Sequence, residues 1–471
     1  MAIDKSSLET ENQADIDTLN WGSCTQSIFE AAYSANSLCT DRKATIACSA
    51  NLPDLNTKTV PRGTIVYPED IGVPVMAGSQ AWKGIDGRTF RKDVPCTTYW
   101  GTGYNGQRNI GVTYNLCGTG QSATCFYPTR SQDCFITTLN QSSITKGAYH
   151  AGFLDTSGQL WMFGYGYQGR LGDGCTAGTA CEYARQTSCG GTDWCCVTAG
   201  VNGTIGLKTD GTLWAWGWLY QGEGGGGCPA GLCFSVPTCM SHNWTDWASI
   251  CWAPTGCNVT SIRSNGEMWN WGDNQYGMLG VGTASGPYLT PVQESCSATN
   301  WCMSTLDKGN LLAVKTDGTA WGAGWNFCGS LGVNNTVSKC SLVQEASGST
   351  SWCQVTSACR SSTFLKTDGT IWATGENNAL PINIGAGSTS SPVQEITSGT
   401  SWSYINSDQG AHWGLKTDGT LWAWGYNGDN MLGGGTAGIY YSSPIQEANS
   451  FTDWVNVKHG KSGAIAVRKT L

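Results

Sequence analysis

A chain of 471 residues of which only 13% are charged is longer than one ordinary core supports, so it is either several domains or one large closed β architecture. Its net charge of −8, with no run of lysine or arginine, excludes the basic surface that nucleic-acid binding requires. No apolar stretch in it is long enough for a membrane-spanning helix.

In chain order, the first residues (Met1, Asp4, Lys5, Glu9, Glu11, Asp15) make an acidic start without the basic-then-apolar layout of a signal peptide. The pattern predicts a short helix over 27–33, then short strands over 63–67, 71–75 and 82–88. Residues 1–96 read as a region separate from the rest of the chain.

From about residue 97 the chain repeats itself. The run 207–217, Leu-Lys-Thr-Asp-Gly-Thr-Leu-Trp-Ala-Trp-Gly, recurs at 415–425, with weaker copies around Gly158, Gly266, Gly318 and Gly369. A second tryptophan lies thirteen positions before the residue opening most copies: Trp194, Trp301, Trp352, Trp402 and Trp454. The unit is therefore roughly fifty residues, a period that marks propellers and solenoids. Its Asp-Gly is a hairpin turn between two strands. Leu213, Trp214, Ala215 and Trp216 place apolar groups on both strand faces, as burial between two neighbouring sheets demands.

The last repeat is half a unit, ending after Val467. Its other half is at 100–111, where Trp100, Gly101 and Tyr104 match Trp422, Ala423 and Tyr426. Six whole units and one split unit predict an all-β fold, a seven-bladed β-propeller spanning 97–471. It is closed by N- and C-terminal strands sharing one blade, so that residues 100–106 pair with 464–467.

The repeat resembles that of the regulator of chromosome condensation family, which combines this hairpin and tryptophan strand with a Gly-x-Leu-Gly turn. Here the turn is seen at Arg170-Leu171-Gly172, Met278-Leu279-Gly280 and Met431-Leu432-Gly433, and Pro-Val-Gln elements occur at Pro291 and Pro392. The resemblance implies the fold over 97–471. Propellers similar to this serve as nucleotide-exchange factors for a nuclear GTPase, as β-lactamase inhibitors and as phage-particle components, so it does not transfer one function. Residues 61–88 are similar to the attachment-proximal segment of marine-phage tail-fibre-like proteins, which implies a particle-docking region. The alternative is a small β elaboration on the propeller.

Twenty-three cysteines, many six positions apart, as in Cys189/Cys195, Cys233/Cys239, Cys251/Cys257 and Cys296/Cys302, point either to several disulfides or to small buried hydrophobes. With no C-x-x-C, four histidines (His150, His242, His412, His459) and no paired histidine motif, no metal site and no cofactor are expected. The glycine run 222–227 is expected to be a flexible loop. Thr-Asp-Gly-Thr-x-Trp hairpins are similar to the aspartate boxes of sialidase-like glycosidases, but Arg130, Arg170, Arg185, Arg263 and Arg360 share no register. The chain is thus expected not to be an enzyme.

Immediately after the strand-ending glycine of each unit stand Tyr104, Tyr165, Trp218, Asp273, Trp325, Glu376 and Tyr426. In a closed ring these positions share one rim, where five aromatics and two carboxylates suit stacking on sugars or anchoring a protein. Packing between blades is the alternative. An extracellular-looking composition without a secretion signal leads to the expectation of a bacteriophage virion protein. In that reading residues 1–96 dock to other virion proteins, the rim binds a host glycan or protein, and the arrangement is compatible with a homotrimer. A soluble protein-binding propeller, as inhibitor or interaction module, is the alternative.

Overall fold

The computed structural model describes residues 147–469, apart from 177–179, 227–230, 241–243, 359, 377–386, 429, 435–439 and 462. It also describes strands at 99–104, 124–130 and 139–146 and five short strands between 44 and 90. The helix expected over 27–33 lies outside these residues. The chain divides into two compact units, the smaller of Met1–Thr98 with 132–138 and 470–471, the larger of Tyr99–Ser131 with Leu139–Lys469.

The smaller unit holds one five-stranded sheet: Ala44–Ile46, Ile65–Pro68, Val75–Ala77, Trp82–Gly84 and Thr89–Phe90 in sequence order. Its first pair is parallel and the others antiparallel. Three of these strands overlap the expected ones, each shifted or shortened.

The larger unit is seven four-stranded antiparallel sheets in sequence order. Six are continuous in the chain. The seventh is Trp454–Gly460, Gly463–Arg468, Tyr99–Tyr104 and Thr124–Arg130, with Ala464 opposite Thr102 and Val467 opposite Tyr99. Closure of the ring by a shared blade is therefore as expected, and it leaves no terminal blade to cap.

Each blade's first strand is innermost, and side chains tie these strands to one another. Ala199 N–H donates to Thr145 Oγ1 (2.8 Å), Trp252 N–H to Thr198 Oγ1 (3.0 Å) and His459 N–H to Asn406 Oδ1 (2.7 Å). Tryptophans opening these strands, Trp194, Trp247, Trp301, Trp352, Trp402 and Trp454, are all buried. The third strand is buried on both sides, as with Leu213, Ala215 and Trp216.

The two ends of the ring differ in what they carry. One, the hairpin end, holds the Asp-Gly turns between second and third strands and the connections between blades. The other, the loop end, holds the turns between first and second strands and the long loops between third and fourth.

At the hairpin end the repeated signature is one hydrogen-bonded device. Asp210 Oδ1 accepts Thr212 N–H (2.9 Å) and Oγ1–H (2.6 Å), and Thr212 Oγ1 accepts Trp214 Nε1–H (3.0 Å). Asp317, Asp368 and Asp418 repeat it. These threonine bonds hold all four carboxyls below the usual range. The preceding lysine lies between two tryptophans, Lys416 Nζ being 4.1 Å from the Trp422 ring and 4.9 Å from Trp402.

A further repeat is Glu294, Glu345, Glu395 and Glu447, all buried. Glu345 accepts Ser347 N–H (2.7 Å), Ser349 N–H (3.1 Å) and Trp352 Nε1–H (3.0 Å). It thereby satisfies the donors of the inter-blade turn that would otherwise be orphaned.

Candidate functional site

The rim positions occupy equivalent places at the loop end, and a single backbone device sets them. The glycine ending each third strand has positive φ, 91° at Gly217 and 109° at Gly324, and the strand pairing shifts register at that point. A Cβ on Gly217 would collide with the Asn202 carbonyl, so glycine is needed there. The kink turns the next N–H onto the residue before the second strand. Tyr165 N–H donates to Tyr149 O (2.9 Å), Trp218 to Asn202 (2.9 Å), Asp273 to Cys257 (2.9 Å), Trp325 to Gly309 (2.8 Å), Glu376 to Arg360 (3.0 Å) and Tyr426 to Gly410 (2.8 Å). All six are half-buried. Tyr104 ends its strand opposite Thr124 in the seventh blade; its side chain lies outside the described residues.

Around them lies a second set that reading the rim alone missed. Tyr167 stacks on Tyr165 (5.8 Å), Tyr220 meets Trp218 edge-on (5.1 Å), and Tyr440 packs on Tyr426 (5.5 Å). Tyr276, from the third blade's loop, stacks on Trp325 (5.9 Å), and so does Phe327 (6.4 Å). Among the described residues every exposed large aromatic, Tyr167, Tyr220, Tyr276, Phe327 and Tyr440, is at this end, with Phe327 73% exposed. A signal existed for three of them, since Tyr167, Tyr220 and Phe327 each lie two positions after a rim residue. The two carboxylates are engaged locally: Glu376 pairs with Arg360 (3.2 Å), and Asp273 Oδ1 accepts Gln275 N–H (3.2 Å).

The axis at this end is crossed by buried polar groups. Thr255 Oγ1–H of the third blade donates to Asp408 Oδ1 of the sixth (2.9 Å), and Asp307 accepts Ser357 Oγ–H (2.6 Å) and the Gly309 and Asn310 N–H groups (2.7 and 2.8 Å). Burial draws Lys146 down to about 7 and pushes Asp408 up to about 7, each opposed by attraction to the other.

The three described histidines are core residues. His150 Nε2 meets Thr204 Oγ1 (2.8 Å), His412 meets Ser361 Oγ (3.1 Å) and Thr363 Oγ1 (2.9 Å), and His459 lies against Met431. His242 lies outside the described residues. Among the described residues no three of His, Cys, Asp and Glu gather as metal ligands. Over its described residues 222–226 the glycine run is a packed loop, not the flexible segment expected: Glu223 is buried, its Oε2 accepting Gln221 N–H (2.8 Å) and its carbonyl accepting Trp271 Nε1–H (2.7 Å). The arginines have separate partners, Arg185 with Asp173, Arg263 with Asp246 and Glu267, and Arg360 with Glu376.

The disulfide expectation is corrected for the described cysteines, thirteen of which are free thiols. The pairs Cys189/Cys195 and Cys296/Cys302 are equivalent in the repeat, five residues before and one after the tryptophan that opens the blade. Cys195, Cys302 and Cys353 occupy the same place after the innermost tryptophan, each thiol donating to a carbonyl of the next strand. Cys233 and Cys239 stand near opposite ends of one extended strand, roughly 20 Å apart and far beyond disulfide reach. Burial raises the Cys196 thiol to about 11, so it stays protonated.

No protein-family model matches the chain. It is 26% identical over 236 residues to the ultraviolet-B receptor UVR8 of Arabidopsis thaliana, covering 49% of this chain and 51% of that one. It is 29% identical over 145 residues to the mitochondrial RCC1 domain-containing protein RUG3 of the same plant, covering 31% and 32%. The chain thus spans about half the length of the first and about a third of the second. Among solved structures it is similar to human WBSCR16 (TM-score 0.68, 15% identity, 80% of this chain, 99% of that one). It is also similar to yeast RCC1, Prp20, in complex with Kap60 (0.65, 15%, 80%, 89%), and to Prp20p of Saccharomyces cerevisiae, described with its binding to Gsp1p and histones (0.65, 14%, 80%, 92%). With the closed ring, the repeated hairpin clamp and the Gly-x-Leu-Gly turns, these likenesses make the chain an RCC1-like seven-bladed β-propeller.

Proposed function

We propose that the chain is a non-catalytic recognition module that binds a protein partner through the loop end of its propeller. The observation that carries this reading is the concentration of exposed aromatics there, around the half-buried rim residues Tyr165, Trp218, Trp325 and Tyr426. Large rings with one exposed face supply contact area at little entropic cost and serve as anchors in interfaces. That Prp20 is described with protein partners is in keeping with this use of the fold. The test is a displayed-peptide selection on the immobilised chain. Selected peptides should lose at least about tenfold in affinity to Trp218→Ala and Trp325→Ala, as for hot-spot truncations. Variants that stay folded and bind equally well would defeat the reading. A glycan-array screen of the same variants decides between a protein and a surface sugar.

The setting we propose is a bacteriophage virion appendage, with residues 1–96 docking to the particle and the propeller facing the host. It rests on a composition poor in charge, and on the likeness of residues 61–88 to phage-fibre attachment segments. Mass spectrometry of purified particles tests it, since absence of the chain from virions removes this setting while leaving the binding face.

A further inference from the structure

The long loops of the third and fourth blades are held by the same device, a buried asparagine directly after the rim residue. Asn274 Nδ2 donates to Thr283 O and Ser285 O (2.9 Å each), and its Oδ1 accepts Leu279 N–H (3.0 Å). Asn326 Nδ2 donates to Asn335 O (2.7 Å) and Val337 O (3.2 Å), and its Oδ1 accepts Leu331 N–H (3.0 Å). The two loops therefore correspond position by position. Where the third blade carries Gln275 and Ser285, the fourth carries Phe327 and Val337. These are the two most exposed large hydrophobics among the described residues, at 73% and 64%. Two lysines depart from the repeat beside them. Lys339 stands opposite Gly324, the glycine before Trp325, in a place that Tyr288 takes in the third blade and Thr389 in the fifth. Lys308 takes the place of Ala148 in the first blade, each being followed by the residue whose carbonyl receives the rim N–H.

The fold does not call for these side chains, since glutamine, serine, threonine and alanine complete the same positions elsewhere in the ring. They put apolar groups into water on a loop already ordered by a buried asparagine, so little further ordering accompanies contact with a partner. An apolar patch kept exposed in this way marks an interaction site. Its inner margin is Trp325, whose ring lies against Gly309 and stacks with Tyr276 of the third blade. Lys308 is exposed, and neither it nor Lys339 has an ion-pair partner among the described residues. Of the described carboxylates on this side, Asp307 is buried and Glu376 is taken by Arg360 (3.2 Å), which leaves Asp273 against two lysines. The margin of the patch is thus positive in a chain whose net charge is −8.

We propose that the fourth-blade loop is the anchoring point for an acidic segment of a protein partner. One large apolar residue of the segment seats against Phe327 and Val337, and its flanking carboxylates reach Lys308 and Lys339. This rests on the reading of the loop end as a protein-binding face and names the part of that face which takes hold. Apolar contact at the centre with charge at the rim is the anatomy of a specific interface. Opposite charge steers the segment to this loop, while the rest of the acidic chain repels it. Two lysines are too few for the phosphate contacts on which nucleic-acid affinity rests.

The displayed-peptide selection on the full chain tests this through the sequences it returns and their response to salt. Selected peptides are expected to place aspartate or glutamate beside a large apolar residue and to weaken as salt is added. The variants take residues that the ring already uses in equivalent places. Phe327→Gln with Val337→Ser should cost the peptides about tenfold. Lys308→Ala with Lys339→Thr should cost less and flatten the salt dependence. Selected peptides without acidic residues, unchanged binding to either double variant, or full competition by oligothymidylate overturns the proposal. So does self-association of the chain that Phe327→Gln abolishes, which would make a second copy the occupant. If the peptides depend on Trp218 but ignore Phe327, Val337 and both lysines, the binding face stands and this anchor falls. If no selected peptide depends on Trp218 or Trp325, both fall.

Discussion

The hairpin end and the loop end are built from the same strands, yet one repeats its side chains and the other does not. Four blades close their hairpins with the same aspartate, threonine and tryptophan, the Thr N–H to Asp bond being 2.9 Å in each. Six blades at the loop end share an equally regular backbone bond, 2.8 to 3.0 Å, made by Tyr, Trp, Asp, Trp, Glu and Tyr. The difference shows where closure of the ring is secured. Repeated side chains do that work at the hairpin end, whereas at the loop end a kinked glycine sets the repeated backbone bond and the identity of the residue that follows it varies from blade to blade.

The largest break in this comparison should come from the buried glutamate of the inter-blade turn. Glu345→Ala removes the acceptor for two backbone N–H groups and Trp352 Nε1–H in a site 3% exposed. Trp352 Nε1–H is buried and the two backbone N–H groups are part-buried; at roughly 1–3 kcal/mol for the buried donor and about 1 kcal/mol for each of the others, the expected loss is about 4 kcal/mol in chemical denaturation. A loss under about 1 kcal/mol would mean that water replaces the carboxylate and that this end is not what secures the ring.

Acid should next weaken the loop end through His412. Its ring is fully buried, stacked on Trp424 and bonded at both nitrogens to hydroxyls of the neighbouring blade. Burial draws its pKa from 6.5 down to about 3. The unfolded chain therefore takes up a proton that the folded chain refuses, and stability falls as pH drops through the window from 6.5 towards 3. The slope approaches about 1.4 kcal/mol per pH unit, on the order of 3 kcal/mol between pH 6.5 and 4. Melting temperatures across that range should fall less steeply for His412→Gln than for the parent chain. Parallel curves would show that the imidazole accepts its proton in place.

Legibility in the sequence divides along the same line. The split seventh blade was legible because Trp100 to Gly106 duplicates Trp422 to Gly428 without a gap, and the hairpins were legible because glycine and aspartate answer a recurring backbone need. Rim register was legible for the same reason, since each rim residue comes directly after a glycine. The glutamate was missed although it stands after a recurring Val-Gln or Ile-Gln at 293, 344, 394 and 446, because a lone carboxylate gives no hint that it is buried. Tyr276 against Trp325 and Thr255 against Asp408 join residues of different blades with no fixed spacing, and only the closed ring brings them together. The cysteine spacing misled because repeat periodicity imitates a disulfide framework.

A smaller effect sharpens the hairpin end. Asp418→Ala deletes two short bonds in an exposed turn, to Thr420 N–H and Oγ1–H, while the Thr420 to Trp422 bond and the Lys416 stack remain available. Asp418 itself is exposed and its two bonds are only part-buried, so the cost should be about 1 kcal/mol. The turn's positive φ rests on Gly419, which is untouched. A denaturation midpoint shifted as far as that of Glu345→Ala would mean the exposed clamp, and not the buried glutamate, carries this end.

The smallest stability effect is expected where binding should respond most. Phe327 is 73% exposed and stacks on Trp325. Phe327→Ser therefore removes little buried area and should shift stability by less than about 0.5 kcal/mol. The aromatic stack from Tyr276 through Trp325 would lose its outer member and the affinity of selected peptides should drop severalfold, because contact area at an interface centre counts for more than the same area left in water. Were Phe327→Ser to destabilise the chain by as much as Asp418→Ala, the exposed aromatics would be securing the loop end as well. The contrast between the two ends would then be one of sequence only.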